Sequence, residues 1–162
     1  MGNERQLEKQ RFVEEFGLFF EQGGMPRMAG RILGWLLISD SPHQMTGELA
    51  GALSASKGSI STMTRFLIRI GLIERISLPG QRRDYFRFKS GACYQMLKDS
   101  LIQTTTARQL AERGLELLEG KSQLNRRGLE EMRDMYAFFE QEFPALVERW
   151  EQRHRKGKLP VR

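Results

Sequence analysis

Apolar residues recur along this chain with two periods, and the change of period marks its organisation. From Asn3 to Glu21 the spacing is helical, with Leu7, Phe12, Val13, Phe16, Phe19 and Phe20 on one side and Glu and Lys on the other. Gly23-Gly24 ends that helix, and Pro26 suits the start of the next, Arg27 to Ser39, whose apolar members are Met28, Ile32, Trp35, Leu36 and Leu37. Asp40 to His43 reads as a loop. A short helix follows, with Thr46 as its N-cap and Leu49, Ala50 and Leu53 on one face. Ser54-Ala55-Ser56 is a tight turn, and Ser56 caps a second helix from Lys57 to about Ile70 that Gly71 stops. The period then falls to two in Leu72 to Ile76 and again in Tyr85 to Phe88, around a Pro79-Gly80 turn signal. That pattern predicts a β-hairpin.

Beyond Gly91 the helical period returns as far as about Glu119, carried by Tyr94, Leu97, Leu101, Ile102, Leu110, Leu115 and Leu118. Gln103 to Thr106 is poor in helix formers, which predicts a kink or short break. After a turn at Gly120 to Ser122, a last helical region carries a heptad of Met132, Met135 or Tyr136, Phe139, Phe143, Leu146 and Trp150. Pro144 within it predicts a kink or a restart. The expected fold is mainly α with minor β, a winged helix-turn-helix flanked by N- and C-terminal dimerisation helices. Its boundaries are 1–25 for the first helix, 26–90 for the winged helix and 91–162 for the C-terminal helices with a solvated basic tail.

The second helix of the pair carries the chemistry. Ile60, Met63, Phe66, Leu67 and Ile70 form its back, while Lys57, Gly58, Ser61, Thr62, Arg65 and Arg69 form a polar front on which only Ile68 intrudes. Short hydroxyl side chains let a backbone approach closely, and cations reach phosphates or base edges, so this front suits a major groove. Ser56, Lys57, Ser61, Thr62 and Arg65 are the candidate DNA contacts on it. The hairpin loop adds Gln81, Arg82 and Arg83, placed to meet a phosphate or a minor groove. Alone, such a hairpin is a surface loop with solvated arginines. Directly after a capped helix-turn-helix it reads as a wing.

The run ELAGALSASKGSISTMTRFLIRIGLIERI, followed by GQRRDYFRF, resembles the winged helix of MarR-type transcriptional regulators and is most similar to the GbsR-like branch. The S-K-G-S-I-S opening, the G-L-I-E-R exit and the G-x-R-R-x-Y-F wing carry the resemblance as a set, over about a quarter of the chain. It implies a homodimeric regulator held together by its terminal helices.

Composition agrees. The chain has 162 residues, enough for one domain of moderate size, and 26 Lys+Arg against 20 Asp+Glu, a net charge of +6 that favours a polyanionic partner. Cys93 is alone, which excludes an internal disulfide and a cysteine-based zinc site, and it reads as an ordinary semi-buried residue. His43 lacks neighbours at ligand spacing, so it reads as a surface residue and no metal is expected. With no G-x-S-x-G, Walker or H-E-x-x-H spacing, an enzyme is not expected. The first eleven residues are mostly charged or polar, so no signal peptide is expected, and the longest apolar run, Ile32 to Ile38, is too short to span a bilayer. A cytoplasmic protein without a membrane partner is expected.

The two aromatic stripes are the only apolar surfaces left once the winged helix has its own core. They predict a homodimer through Phe12, Phe16, Phe19, Phe20, Tyr136, Phe139, Phe143, Leu146 and Trp150. No cofactor is expected. An unidentified small effector, a cation in an aromatic cage being one form, has a candidate pocket at Phe16, Phe20 and Trp35, where plain packing is the simpler reading. The expected function is sequence-specific binding of a palindromic double-stranded operator by a homodimeric transcriptional repressor. The alternative is a winged-helix protein-protein adaptor, which the polar front disfavours, since an interaction module exposes apolar area there.

Overall fold

A computed structural model of the chain describes residues 2–118, 120 and 123–157. The chain forms two compact units that meet in sequence between Cys93 and Tyr94. In the first, α1 (Gly2–Gln22) and α2 (Arg27–Ile38) precede β1 (Gln44–Met45), α3 (Thr46–Ala52), α4 (Lys57–Arg69), β2 (Ile73–Ser77) and β3 (Asp84–Phe88). The strands form an antiparallel sheet of order β1-β3-β2, with Ile76 opposite Tyr85 and Gln44 opposite Phe86. The helix α5 (Ala92–Leu117) leads into the second unit, which α6 (Gln123–Gly157) completes.

The core of the first unit gathers around α2. Ile32, Leu49, Ile60 and Leu67, one or more from each of α2, α3 and α4, are fully buried together with Ile73 of β2. Each such side chain contributes about 1.5–3 kcal/mol of burial, so the helix-turn-helix is held by its back while its front stays free. Helix α4 begins as its sequence predicts: the Ser56 side chain accepts from the Ser59 amide at 3.1 Å, and Gly71 follows the helix at φ +78°.

Helix α1 packs on α2 through glycines. A Cβ on Gly30 would lie 2.6 Å from the Phe16 carbonyl oxygen and 2.7 Å from the Phe20 Cβ, and one on Gly34 would lie 2.9 Å from the Phe16 Cβ. The missing side chains let the two phenylalanines sink against the α2 backbone. Ion pairs fasten the rim: Glu14 meets Arg31 at 2.7 Å and Arg27 at 3.0 Å, and Lys9 donates to Asp40 at 2.9 Å. Arg31 also donates to the Leu53 carbonyl at 2.9 Å, tying α1 and α2 to the end of α3.

This packing corrects two expectations. Phe20 is only 3% exposed and Phe16 is packed on the core, so both serve their own chain and Phe20 offers nothing to a partner. Phe12 and Phe19 remain exposed, Phe19 by 62%. The second concerns Trp35: Phe16 and Phe20 are not among the walls of the cleft beside it. The cleft beside Trp35, of about 200 Å³, has Gln10, Val13, Glu14, Arg31, Ala52, Leu53 and Ser54 as its other walls.

In the second unit α5 and α6 run antiparallel. Arg108 and the Thr105 hydroxyl both donate to Glu140, at 2.5 and 2.8 Å, and Tyr94 donates to Glu151. Arg126 reaches the Leu115 carbonyl at 3.4 Å. The break expected at Gln103 to Thr106 is absent, since α5 is one helix. The Thr104 and Thr106 hydroxyls donate to the carbonyls of Ser100 and Ile102, an i−4 bond that accommodates the threonine run. One helix also continues through Pro144, without a restart.

Smaller differences have local causes. Thr46 is the first residue of α3 rather than its cap, because β1 runs straight into the helix. Met45 takes the cap position, and its amide donates to the Glu48 carboxylate at 2.6 Å. Cys93 is exposed, not semi-buried. His43 is half-buried, its ring edge-on to Tyr85. Most of the Gly120 to Ser122 turn lies outside the described residues, as does Lys158, whereas Arg153 to Gly157, expected to be a disordered basic tail, continue α6. Among those residues, no helix is long and apolar enough to cross a membrane.

Candidate nucleic-acid interface

The helix-turn-helix and the hairpin converge on one concavity of about 520 Å³. Lys57, Ser61 and Arg65 of α4 form one wall, and Arg75, Arg83 and Asp84 of the hairpin form the other. Thr46 and Gly47, at the start of α3, close its end. Four of the candidate contacts, Lys57, Ser61, Arg65 and Arg83, thus share a groove although Arg83 lies 18 or more positions from each of the others along the chain. The sheet register brings them together: pairing of β2 with β3 folds the hairpin back beside α4.

Arg65 is held in place before any ligand arrives. Its guanidinium donates to the Ser61 hydroxyl at 2.8 Å and to the Thr62 hydroxyl at 3.4 Å. Both partners sit one turn back on the same helix, where i,i+3 and i,i+4 side chains meet. Less side-chain entropy is then lost when Arg65 meets a phosphate or base edge. Thr62 is exposed on the same helix outside the walls of the concavity. The Ser56 hydroxyl is engaged in its cap and also lies outside those walls.

The hairpin loop turns at Leu78-Pro79-Gly80-Gln81. The Gln81 amide donates to the Leu78 carbonyl at 3.0 Å, and Gly80 adopts φ +75°, which a type II turn needs at its third position. Arg75 pairs across the strands with Asp84 at 3.4 Å, and Arg87 with Glu74 at 2.7 Å. These pairs occupy the hairpin's two acids. Arg82 and Arg83 are exposed and have no ion-pair partner among the described residues. Gln81 and Arg82 stand at the loop, outside the groove that Arg83 enters.

Thr46, Gly47 and Arg75 line the groove but were not marked by sequence pattern. Thr46 and Gly47 looked like an ordinary helix start, and β1, a two-residue strand, carries no periodicity that would have placed them. Arg75 alternates with apolar neighbours as any solvent-facing strand residue does. Only the fold turns that face toward α4.

Comparison with known proteins extends the resemblance beyond the winged helix. Residues 91–153 match the family model of MmpR5-like MarR family transcriptional regulators. The chain is 41% identical over 142 residues to the HTH-type transcriptional regulator MmpR5 of Mycobacterium tuberculosis (strain ATCC 25618 / H37Rv), covering 88% of this chain and 86% of that protein. A crystal structure of a transcriptional regulator is similar at 39% identity with a TM-score of 0.76, over 90% of this chain and all but 1% of the other (99%). A likeness this long takes in both units and not only the helix-turn-helix. The chain belongs to the MarR family of DNA-binding, winged-helix transcriptional regulators.

Proposed function

We propose that this protein is a homodimeric repressor that binds a palindromic operator through the groove shared by α4 and the hairpin. The observation that carries this reading is the convergence of Lys57, Ser61, Arg65 and Arg83 on one concavity. Helix α4 enters the major groove, where Arg65 reaches base edges, with Lys57, Ser61 and Thr62 beside it and Ser56 fixing the start of the helix. Gln81, Arg82 and Arg83 of the wing meet backbone phosphates or the adjacent minor groove. A bound dimer on a promoter excludes other proteins from it, which is repression in its simplest form.

Dimerisation is supported by apolar side chains that each chain leaves uncovered. Phe12 and Phe19 on α1 are exposed, as are Met135, Phe138, Leu146 and Trp150 on α6. Helix α5 adds Ile102, Leu110 and Leu117, so the aromatic stripes are not the only apolar surfaces left. Tyr136, Phe139 and Phe143 are half-buried, with Phe139 and Phe143 stacked at 5.4 Å. A second copy of the chain is the occupant proposed for these surfaces, since two winged helices about a two-fold axis address half-sites about 34–36 Å apart. The narrower GbsR-like affinity rests on the winged-helix motifs alone.

An adaptor role is less well supported, because α4 presents hydroxyls and cations with Ile68 as the only exposed apolar side chain among its described residues. A gel shift on the DNA upstream of the protein's own gene, across a salt series, tests the proposal. Arg65→Ala is expected to weaken operator binding by about 1–3 kcal/mol and leave the fold intact. Unchanged operator affinity in the folded variant refutes the role given to Arg65, and no shift at any salt refutes the operator reading.

A further inference from the structure

A second basic depression, of about 550 Å³, lies on the other side of Arg65. Its walls are Arg65, Ile68, Arg69, Ile73, Glu74, Arg75 and Lys89. Arg65, Ile68 and Arg75 also line the groove described above, so the two concavities share a ridge. The charges in the depression separate by their partners. Glu74 is taken by Arg87, Arg75 by Asp84, and the Arg65 guanidinium is turned to the hydroxyls of Ser61 and Thr62. Arg69 and Lys89 remain, both exposed and without an ion-pair partner among the described residues.

Two features make these cations more than scattered surface charge. The apolar side chains of Ile68 and Ile73 line the depression with them, and low-polarity walls weaken the screening of a charge beside them. The main chain at Lys89 is fixed, its amide donating to the Leu72 carbonyl at 3.0 Å just past β3. Lys89 therefore starts from a rigid point beside the last turn of α4. Charge at the end of a helix already has a structural use, since Arg69 complements the carbonyl end of the helix dipole. Lys89, outside any helix, has no such use.

We propose that Arg69 and Lys89 together hold a backbone phosphate of double-stranded DNA, one step outside the contacts of the reading groove. This inference rests on the operator-binding reading above and deepens it by widening the footprint across the Arg65 ridge. A phosphate held there adds affinity without sequence preference. It also fixes how far α4 slides along the major groove, because the ridge is clamped from both sides.

The test is a salt series on the full-length protein, read on the operator and on an unrelated duplex of equal length. For Arg69→Ala/Lys89→Ala, the slope of log affinity against log salt is expected to fall by about one, equally on both duplexes. Arg69→Lys/Lys89→Arg, which keeps both charges, is expected to retain the wild-type slope. Lys89→Ala alone is measured in parallel, because it keeps both main-chain hydrogen bonds of Lys89, to the Leu72 carbonyl and from the Ala92 amide. It is expected to lower the slope on both duplexes by a fraction of one. An unchanged slope in the alanine variants, with the wild type binding its operator, overturns this inference and leaves the reading groove standing. A loss confined to the operator overturns it too, because that is base reading. A wild type that binds neither duplex removes the operator reading itself, and this inference with it.

Discussion

The contact between α1 and α2 gives a prediction whose sign follows from the structure. In Gly30→Ala, the added methyl meets the Phe16 carbonyl oxygen at 2.6 Å and the Phe20 Cβ and Cγ at 2.7 and 2.8 Å. The first is backbone and the second is the root of a side chain that is 3% exposed, so neither can swing aside. Helix α1 must move by several tenths of an ångström. Overpacking of this kind costs about 1–3 kcal/mol. Alanine in place of glycine inside a helix returns about 1 kcal/mol. The net effect is a loss of about 0–2 kcal/mol, or a fall in melting temperature of up to about 8 °C at about 2–4 °C per kcal/mol for a chain of this size.

Gly128→Ala is the control. Gly128 lies inside α6 with nothing within 4 Å of an added Cβ, so the propensity gain stands alone and the melting temperature is expected to rise. Both variants are melted by circular dichroism at one protein concentration, because association shifts apparent stability. Equal increases in both variants would mean that α1 does not approach α2 closely at Gly30, and the account of that interface would fall.

Replacing Arg82 and Arg83 with alanine is expected to lower affinity for every DNA sequence and to reduce the salt slope by about one or two; a loss on the operator alone would make the wing a base reader instead. Glu140 has its carboxyl held below the usual range by the hydrogen bond from Arg108, helped by Thr105. A lowered folded pKa means stability that is present above the ordinary glutamate range and lost as pH falls through the lowered value. The melting difference between wild type and Glu140→Gln is therefore expected to be largest near neutrality and to close in acid, and a difference independent of pH would show that the Arg108 pair does not hold α5 to α6. Phe139→Asp is expected to give aggregated or unfolded protein without operator binding, since a charge is costly to bury unpaired in an apolar seam. Sedimentation of the wild type checks the premise, and a monomer at micromolar concentration that binds a palindromic site tightly would refute the dimer.

Much of this protein is local in origin, and most of what is local was legible in the chain, although the threonine run and Pro144 do not break their helices. The Ser56 cap, the Gly71 stop, the split of α4 into apolar back and cationic front, and the Pro79-Gly80 turn each depend on residues a few positions apart. A 3.6-residue period, a hydroxyl two or three amides away and a positive φ are properties of a short segment, so sequence alone determined the winged helix and most of its candidate contacts. Distance along the chain is what defeated the rest. Phe16 and Phe20 looked like a free stripe because nothing near them announces Gly30 and Gly34, ten or more positions on, whose missing side chains take them in. β1 escaped notice because two residues carry no period, and its existence depends on β3, forty positions away, reaching back to pair with it. The joint groove of Lys57, Ser61, Arg65 and Arg83, and the separate exposure of Arg69 and Lys89, depend on which acids the hairpin register brings to which cations. Periodicity says which face of an element is polar. Only the packed fold decides which polar faces meet and which charges are left for a partner, because those depend on contacts between segments that the chain itself keeps far apart.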